Sequence, residues 1–253
     1  MARDCKMDLH DIRTWERYDV KGYIQHKLQA VKDLLPADVM TVLDAGCGNG
    51  VITNALDGEL DILGLDISKA ALEYVTSPKL LGSITALPFD ANSFDLCMCH
   101  EVLEHLEAHE LPLAFTELKR CATNYIMISV PYREVLTATF VKCEDCGMVF
   151  HAYGHNHSFG QNDLDAQLAP AFTLKSSKVF GPKQAYVPAW LVRFKQERLG
   201  QWFHPTFPLS CPACNGQRFA HKRNWKTMAA NAAAWIFSPR HPYWLIALYT
   251  RNR

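Results

Sequence analysis

No run of 18 consecutive apolar residues occurs in this 253-residue chain, so the sequence predicts no membrane-spanning helix. The opening stretch, MARDCKMDLHDIRTWERYDV, lacks the unbroken apolar core of a secretory leader. The expectation is a cytoplasmic protein in a reducing compartment, where disulfides do not form. An excess of one charge is missing too, since 26 Lys and Arg balance 26 Asp and Glu. A neutral chain projects no long-range field toward nucleic acid or an anionic membrane, and no basic tract stands out, so nucleic acid is not an expected partner. Internal repeats and low-complexity tracts are absent. What remains is ordinary globular composition, 49% hydrophobic and 21% charged, enough for one sizeable core. Of the nine cysteines, Cys5, Cys47, Cys97, Cys99 and Cys121 are scattered and read as small buried hydrophobes. The other four are paired.

Apolar residues at helical spacing over 18–35, stopped by Pro36, predict a helix in an N-terminal segment, 1–36. TVLDAGCG (41–48), DILGLDI (61–67), SFDLCMC (93–99) and YIMISV (125–130) read as strands. Helices are expected between them over 51–56 and 69–75, from about Glu101, and in AFTELKRCA. Strands alternating with helices indicate a parallel sheet with crossover helices. After Pro131 the rhythm breaks into a Cys- and His-rich stretch (143–157), a short helix NDLDAQL and a strand FTLKSSKVF. A long irregular segment and a final apolar strand over 243–250 follow.

In VLDAGCGNG a strand delivers Gly46, Gly48 and Gly50 to a turn before a helix. Such a turn lets the backbone approach a ligand and exposes the free N–H groups of the helix start. Asp66 closes the second strand 20 residues after Gly46, where a ribose-binding acid sits in a nucleotide-binding βαβ unit. Asp44, however, would be badly placed beside a pyrophosphate and suits a ligand carrying an amine. VLDAGCGNG, ILGLDIS, ALPFDANSFDLCMC and EVLEHL, in that order over residues 41–130, resemble the class I S-adenosylmethionine-dependent methyltransferases. The resemblance implies an α/β fold, a seven-stranded Rossmann-like sheet with helices on both faces, filling residues 37–253. It implies that Asp44 and the Gly46 and Gly48 backbone face the methionine part of S-adenosylmethionine, and that Asp66, with Ile67 beside it, faces the ribose. The family's usual acid toward the adenine is replaced by Ser83, next to Ile84.

HEVLEHLEAH (100–109) places Glu101, Glu104 and His105 on one face if it is helical. One reading is a solvated helix surface, with Val102, Leu103 and Leu106 as its buried stripe. The other is a divalent-cation site. E-x-x-E-H followed by a later histidine is similar to the metal motif of ubiquinone-pathway and small-RNA O-methyltransferases. That similarity nominates His155 or His157 as the later ligand, with His155 preferred and His151 read as a zinc-lobe or loop residue. Methyl transfer to an alcohol requires loss of a proton, by a metal or by His105 alone as general base. The expected acceptor is a hydroxylated small molecule such as a sugar or secondary metabolite. Metal-independent methylation at carbon or nitrogen, and a catalytically silent protein-binding module, are the alternatives. The sequence leaves the oligomeric state open.

CEDC (143–146) and CPAC (211–214) are two C-x-x-C turns separated by 64 residues. Neither opens a helix after a strand, as a redox pair would. Cys143, Cys146, Cys211 and Cys214 together predict a closed, structural Zn²⁺ site stapling two insertions, about 140–157 and 200–222, into a small lobe. The aromatic stretch NWKTMAANAAAWIF is read as either a helix preceding the last core strand or a membrane-surface helix.

Overall fold

The computed structural model describes residues 23–252. In chain order the elements are α1 (Tyr23–Leu34), β1 (Thr41–Ala45), α2 (Val51–Leu56), β2 (Asp61–Asp66), α3 (Lys69–Leu72), β3 (Lys79–Leu81), β4 (Phe94–His100), α4 (Leu111–Cys121) and β5 (Ala122–Pro131). They continue with β6 (Phe140–Lys142), β7 (Val149–His151), α5 (Gln161–Leu168), β8 (Phe172–Ala185), α6 (Ala189–Leu199), α7 (Trp225–Phe237) and β9 (Arg240–Arg251). The helix expected over 18–35 is present as α1, and its residues 18–22 lie outside the described residues.

Seven strands form one sheet in the order β3-β2-β1-β4-β5-β9-β8, with β9 antiparallel to β5. The expected Rossmann-like sheet is therefore what the chain builds. Alternation along its strands splits the core in two. Leu43, Ala45, Cys97, Cys99, Ile126, Ile128, Leu245, Ala247 and Tyr249 bury one face with α4 and α5. Val42, Leu96, Met98, Met127, Ile246 and Leu248 bury the other with Ala30 and Val31 of α1. The strand order reverses between β1 and β4, and the carboxyl ends on either side of that switch are where such sheets bind ligands.

The chain divides into two compact units. One holds the sheet: among the described residues, 23–132, Phe159–Pro182 and 242–252. The other takes in Arg133–Ser158 and Lys183–His241, wider than the expected 140–157 and 200–222. It contains the β6–β7 hairpin, α6 and α7, with its own small core of Val141, Cys143, Phe150, Ala152 and Cys211.

Two expected helices are corrected. The 69–75 helix closes after Leu72. The helix from Glu101 is absent: only a 3₁₀ turn, Leu103–His105, precedes α4. Glu101 has φ 56°, a left-handed conformation that no helix continues through. Its N–H still donates to the Ser129 carbonyl at 2.9 Å, as a strand residue's would. Pro112 then suits the first turn of α4, where its missing N–H is no loss.

Candidate active site

The glycine turn is held shut by the end of β2. The Gly46 and Cys47 N–H groups both donate to the Leu65 carbonyl, at 2.6 and 3.0 Å. Asp66 receives the Gly48 N–H on Oδ2 at 2.8 Å and the Ser68 N–H on Oδ1 at 2.7 Å. The predicted ribose acid thus also ties the two βα turns together. Gly46 sits at φ 85°, and a Cβ there would lie 2.3 Å from Val102 Cγ2. Glycine is required twice over, by conformation and by the approach of EVLEHL onto the turn.

Asp44 is 2% exposed. Its Oδ2 accepts from the Thr53 hydroxyl at 2.7 Å, while Oδ1 is buried with no hydrogen-bond partner among the described residues. Burial pushes its pKa up to about 6, against the Thr53 hydrogen bond and with a smaller push from Asp66. A buried acceptor left open beside a glycine turn is where a ligand's cationic or N–H group fits. Ile67, just beyond Asp66, is 58% exposed, an apolar face bare to solvent. Ser83 pairs its hydroxyl with that of Thr85 at 2.8 Å. Ile84 is buried with Leu65 and Leu87 in the core, so on the ligand side only its backbone is on offer. The following LPF loop is pinned by α4: Arg120 donates to the Leu87 and Phe89 carbonyls, and Glu117 accepts the Leu87 N–H.

His100 ends β4 and escaped the sequence reading, although it opens the HEVLEHLEAH stretch. Asp44 is level with Met98 and His100 with Ser129, so all four side chains share one face of the sheet. The His100 ring is buried, and neither nitrogen has a hydrogen-bond partner among the described residues. Burial, and then the charge of Lys27, lower its pKa to about 3, so the ring is a neutral donor and acceptor at pH 7. The available signal was its place: the last strand residue beside the topological switch point.

Glu101 does not present an open carboxylate. Oε1 accepts from the Ser129 hydroxyl at 2.7 Å and lies 3.5 Å from Lys27 Nζ, and Oε2 accepts from Trp244 Nε1 at 2.7 Å. Without a helix, Glu101 does not share a helical face with Glu104 and His105. Those two stand together on the 3₁₀ turn, with a carboxylate oxygen of Glu104 and a ring nitrogen of His105 within 4.8 Å of each other. Glu104 is buried and His105 half-buried.

His155 and His157 belong to the other unit, where His157 is half-buried. His151 Nδ1 accepts the backbone N–H groups of Tyr153 and His155, at 3.2 and 3.1 Å. Its proton is therefore on Nε2, which lies 2.5 Å from the Thr139 hydroxyl and 3.4 Å from Glu134 Oε1. His155 Nδ1 donates to Glu134 Oε2 at 2.5 Å, which orients the ring. Burial alone would raise Glu134, but the hydrogen bonds from both histidines outweigh it and hold the carboxyl at about 2. Glu134 was not singled out in the sequence, being an isolated acid 17 and 21 residues from its partners.

The same unit brings Cys143, Cys146, Cys211 and Cys214 together, all sulfurs within 4.8 Å of one another. Sγ–Sγ distances are 3.6 Å for Cys143–Cys214 and 3.5 Å for Cys146–Cys211. These lie close to the roughly 3.8 Å edge of a tetrahedron of 2.3 Å metal–sulfur bonds, and far from a disulfide. Each C-x-x-C turn closes through a left-handed residue, Gly147 at φ 77° and Asn215 at φ 59°, whose N–H returns to the Cys143 or Cys211 carbonyl.

With this geometry in place, the comparisons are specific for one part of the chain. Residues 43–124 match the family described as "Methyltransferase domain". That stretch is similar to a methyltransferase domain and makes up about a third of the chain. The uncharacterized protein MJ0638 of Methanocaldococcus jannaschii is 31% identical over 124 residues, 44% of this chain and 53% of that protein. The malonyl-[acyl-carrier protein] O-methyltransferase of Erwinia pyrifoliae is 32% identical over 113 residues, 42% of this chain and 40% of the enzyme. The matches thus span about half or less of these relatives. The fold likeness extends further. The PH0226 protein of Pyrococcus horikoshii superposes with TM-score 0.58 at 15% identity, covering 94% of this chain and 95% of that one. Magnesium protoporphyrin IX methyltransferase of Synechocystis, solved with bound SAH, gives 0.52 at 14% identity, covering 95% and 85%.

Proposed function

We propose that the protein is an S-adenosylmethionine-dependent methyltransferase acting on a hydroxyl of a small molecule. The observation that carries the cofactor reading is the enclosed, unpartnered Oδ1 of Asp44 beside the Gly46–Gly48 turn. When bound, S-adenosylmethionine supplies an electrophilic methyl on a sulfonium, so the protein's task is alignment. Asp44 holds the cofactor's amine, and the Gly46 and Gly48 backbone permits its close approach. Asp66 accepts the ribose hydroxyls. Ile67 covers the adenine ring, and Ser83 with the Ile84 backbone meets its edge. His105 takes the proton from the acceptor hydroxyl. The Erwinia relative is named an O-methyltransferase, in line with oxygen as the accepting atom.

Divalent-ion assistance is the finer form of the proposal. Glu104 and His105 would supply one oxygen and one nitrogen ligand, a donor set suited to Mn²⁺, Fe²⁺, Co²⁺ or Zn²⁺. Such an ion would lower the pKa of the acceptor hydroxyl. The four cysteines are proposed to hold a separate, structural Zn²⁺. Turnover with labelled cofactor across a panel of hydroxylated acceptors tests the reading. Transfer that survives mild chelation and Glu104→Gln but is lost in His105→Ala leaves histidine as the base and removes the ion. No transfer to any oxygen, with transfer to a carbon or nitrogen acceptor, would replace the hydroxyl reading.

A further inference from the structure

The chain's zero net charge conceals an uneven division. From Lys183 to His241 the sequence has nine Lys and Arg and a single acid, Glu197. The same segment carries eight of the seventeen exposed large apolar side chains among the described residues, among them Trp190, Trp225, Met228, Trp235, Ile236 and Phe237. On α7, Trp225, Met228, Ala229, Ala232, Trp235 and Ile236 recur at i, i+3, i+4, i+7, i+10 and i+11, which makes one continuous stripe. An amphipathic helix ordinarily turns such a stripe inward. Here all six residues are exposed, with Trp235 67% and Ile236 64% accessible, and the buried residues Thr227 and Ala234 are on the opposite side. The stripe carries no charge. At its two ends Lys226 Nζ lies 5.7 Å from the Trp225 ring centre and the Arg240 guanidinium 5.0 Å from that of Trp235.

We propose that α7 lies in the plane of an anionic lipid surface, its apolar stripe sunk at the headgroup boundary and its flanking bases on the phosphates. Tryptophan and aliphatic side chains on one face, bordered by Lys and Arg, are the pattern of an interfacial helix. At 13 residues, α7 is too short to cross a bilayer, which needs about 20. No helix among the described residues is long and apolar enough to do so. Met228, Ala229, Ala232 and Ile236 give the stripe aliphatic character that base stacking does not use. A second copy would bring the same basic face against itself, a costly match for an isologous contact.

Flotation of the full chain with phosphatidylcholine vesicles, with and without phosphatidylglycerol, is the test. The wild type is expected to float with the anionic vesicles, less so as salt rises, with tryptophan emission shifting to shorter wavelength. The exposed double substitution Trp235→Glu/Ile236→Glu should reduce partition at least about tenfold, while circular dichroism and S-adenosylmethionine binding stay as in the wild type. The proposal is overturned if the wild type ignores both vesicle types, or if the variant floats equally well. It is also overturned if, without vesicle binding, the stripe proves necessary for dimerisation in light scattering or for retarding single-stranded RNA. None of these outcomes depends on whether methyl transfer is found.

Discussion

Asp44 spends one carboxylate oxygen on Thr53 and keeps the other enclosed, an arrangement that costs the free protein stability. Its folded pKa, about 6, lies above the ordinary aspartate value, so the folded state binds the proton more tightly than the unfolded chain. Its contribution is therefore fully present below about pH 4 and is lost as pH rises through 6, a change of about 3 kcal/mol at most. His100 has the opposite sign. Held neutral by burial, it costs stability as pH falls from its ordinary value toward 3. In Asp44→Asn the loss of stability between pH 4 and 6 should disappear while the His100 loss on acidification remains. Denaturant titrations across that range check this, and unchanged slopes would contradict the burial account. The same substitution should weaken S-adenosylmethionine binding at least about tenfold, the usual order for losing a charge-assisted partner. Asp44 was legible because it precedes glycines at a strand end. His100 was not, because a histidine at the end of an apolar strand carries no spacing of its own.

At the scale of elements, the turn between β1 and α2 depends on a contact no spacing rule reveals. Gly46→Ala meets both a positive φ and Val102, and should cost more than about 1–2 kcal/mol. Adding Val102→Ala removes the clash but not the strained φ, so stability should return only in part. Denaturant unfolding of the two variants measures both terms. The βα rhythm was readable through β5 because the buried strands are short apolar runs, with β1, β2 and β5 ended by Gly46, Asp66 and Pro131. The HEVLEHLEAH stretch misled because its helical periodicity is real in sequence, yet the left-handed Glu101 and its bonds to Ser129 and Trp244 hold it to the strand end. A tertiary contact overrode a local pattern. The helix α6 was missed for the converse reason: Trp190, Arg193, Phe194 and Arg198 on its exposed side blur any apolar stripe. The two C-x-x-C turns, by contrast, were legible because two such pairs of thiols have few uses other than holding a metal together, and the structure brings their four sulfurs within 4.8 Å of one another. Cys211→Ser should lose about one equivalent of zinc and lower the melting temperature, with a loss of several kcal/mol. Elemental analysis beside a thermal scan decides it, and a metal-free wild type of equal stability would contradict the site.

For the molecule as a whole, the sheet unit holds Asp44, Asp66, His100, Glu104 and His105, and the other unit holds the four cysteines, the Glu134–His151–His155 cluster and α7. Total charge hid this division, because nine bases against one acid in 183–241 are offset elsewhere in the chain. The methyltransferase match covers residues 43–124, inside the sheet unit, so the cofactor reading rests on that unit's own residues. Calorimetric titration of the full chain with S-adenosylmethionine tests that reading most directly. Binding of about one equivalent by the wild type, lost or severely weakened in both Asp44→Asn and Asp66→Ala, is the predicted result. A folded wild type that binds no S-adenosylmethionine, or variants that bind it as tightly as the wild type, would contradict the account.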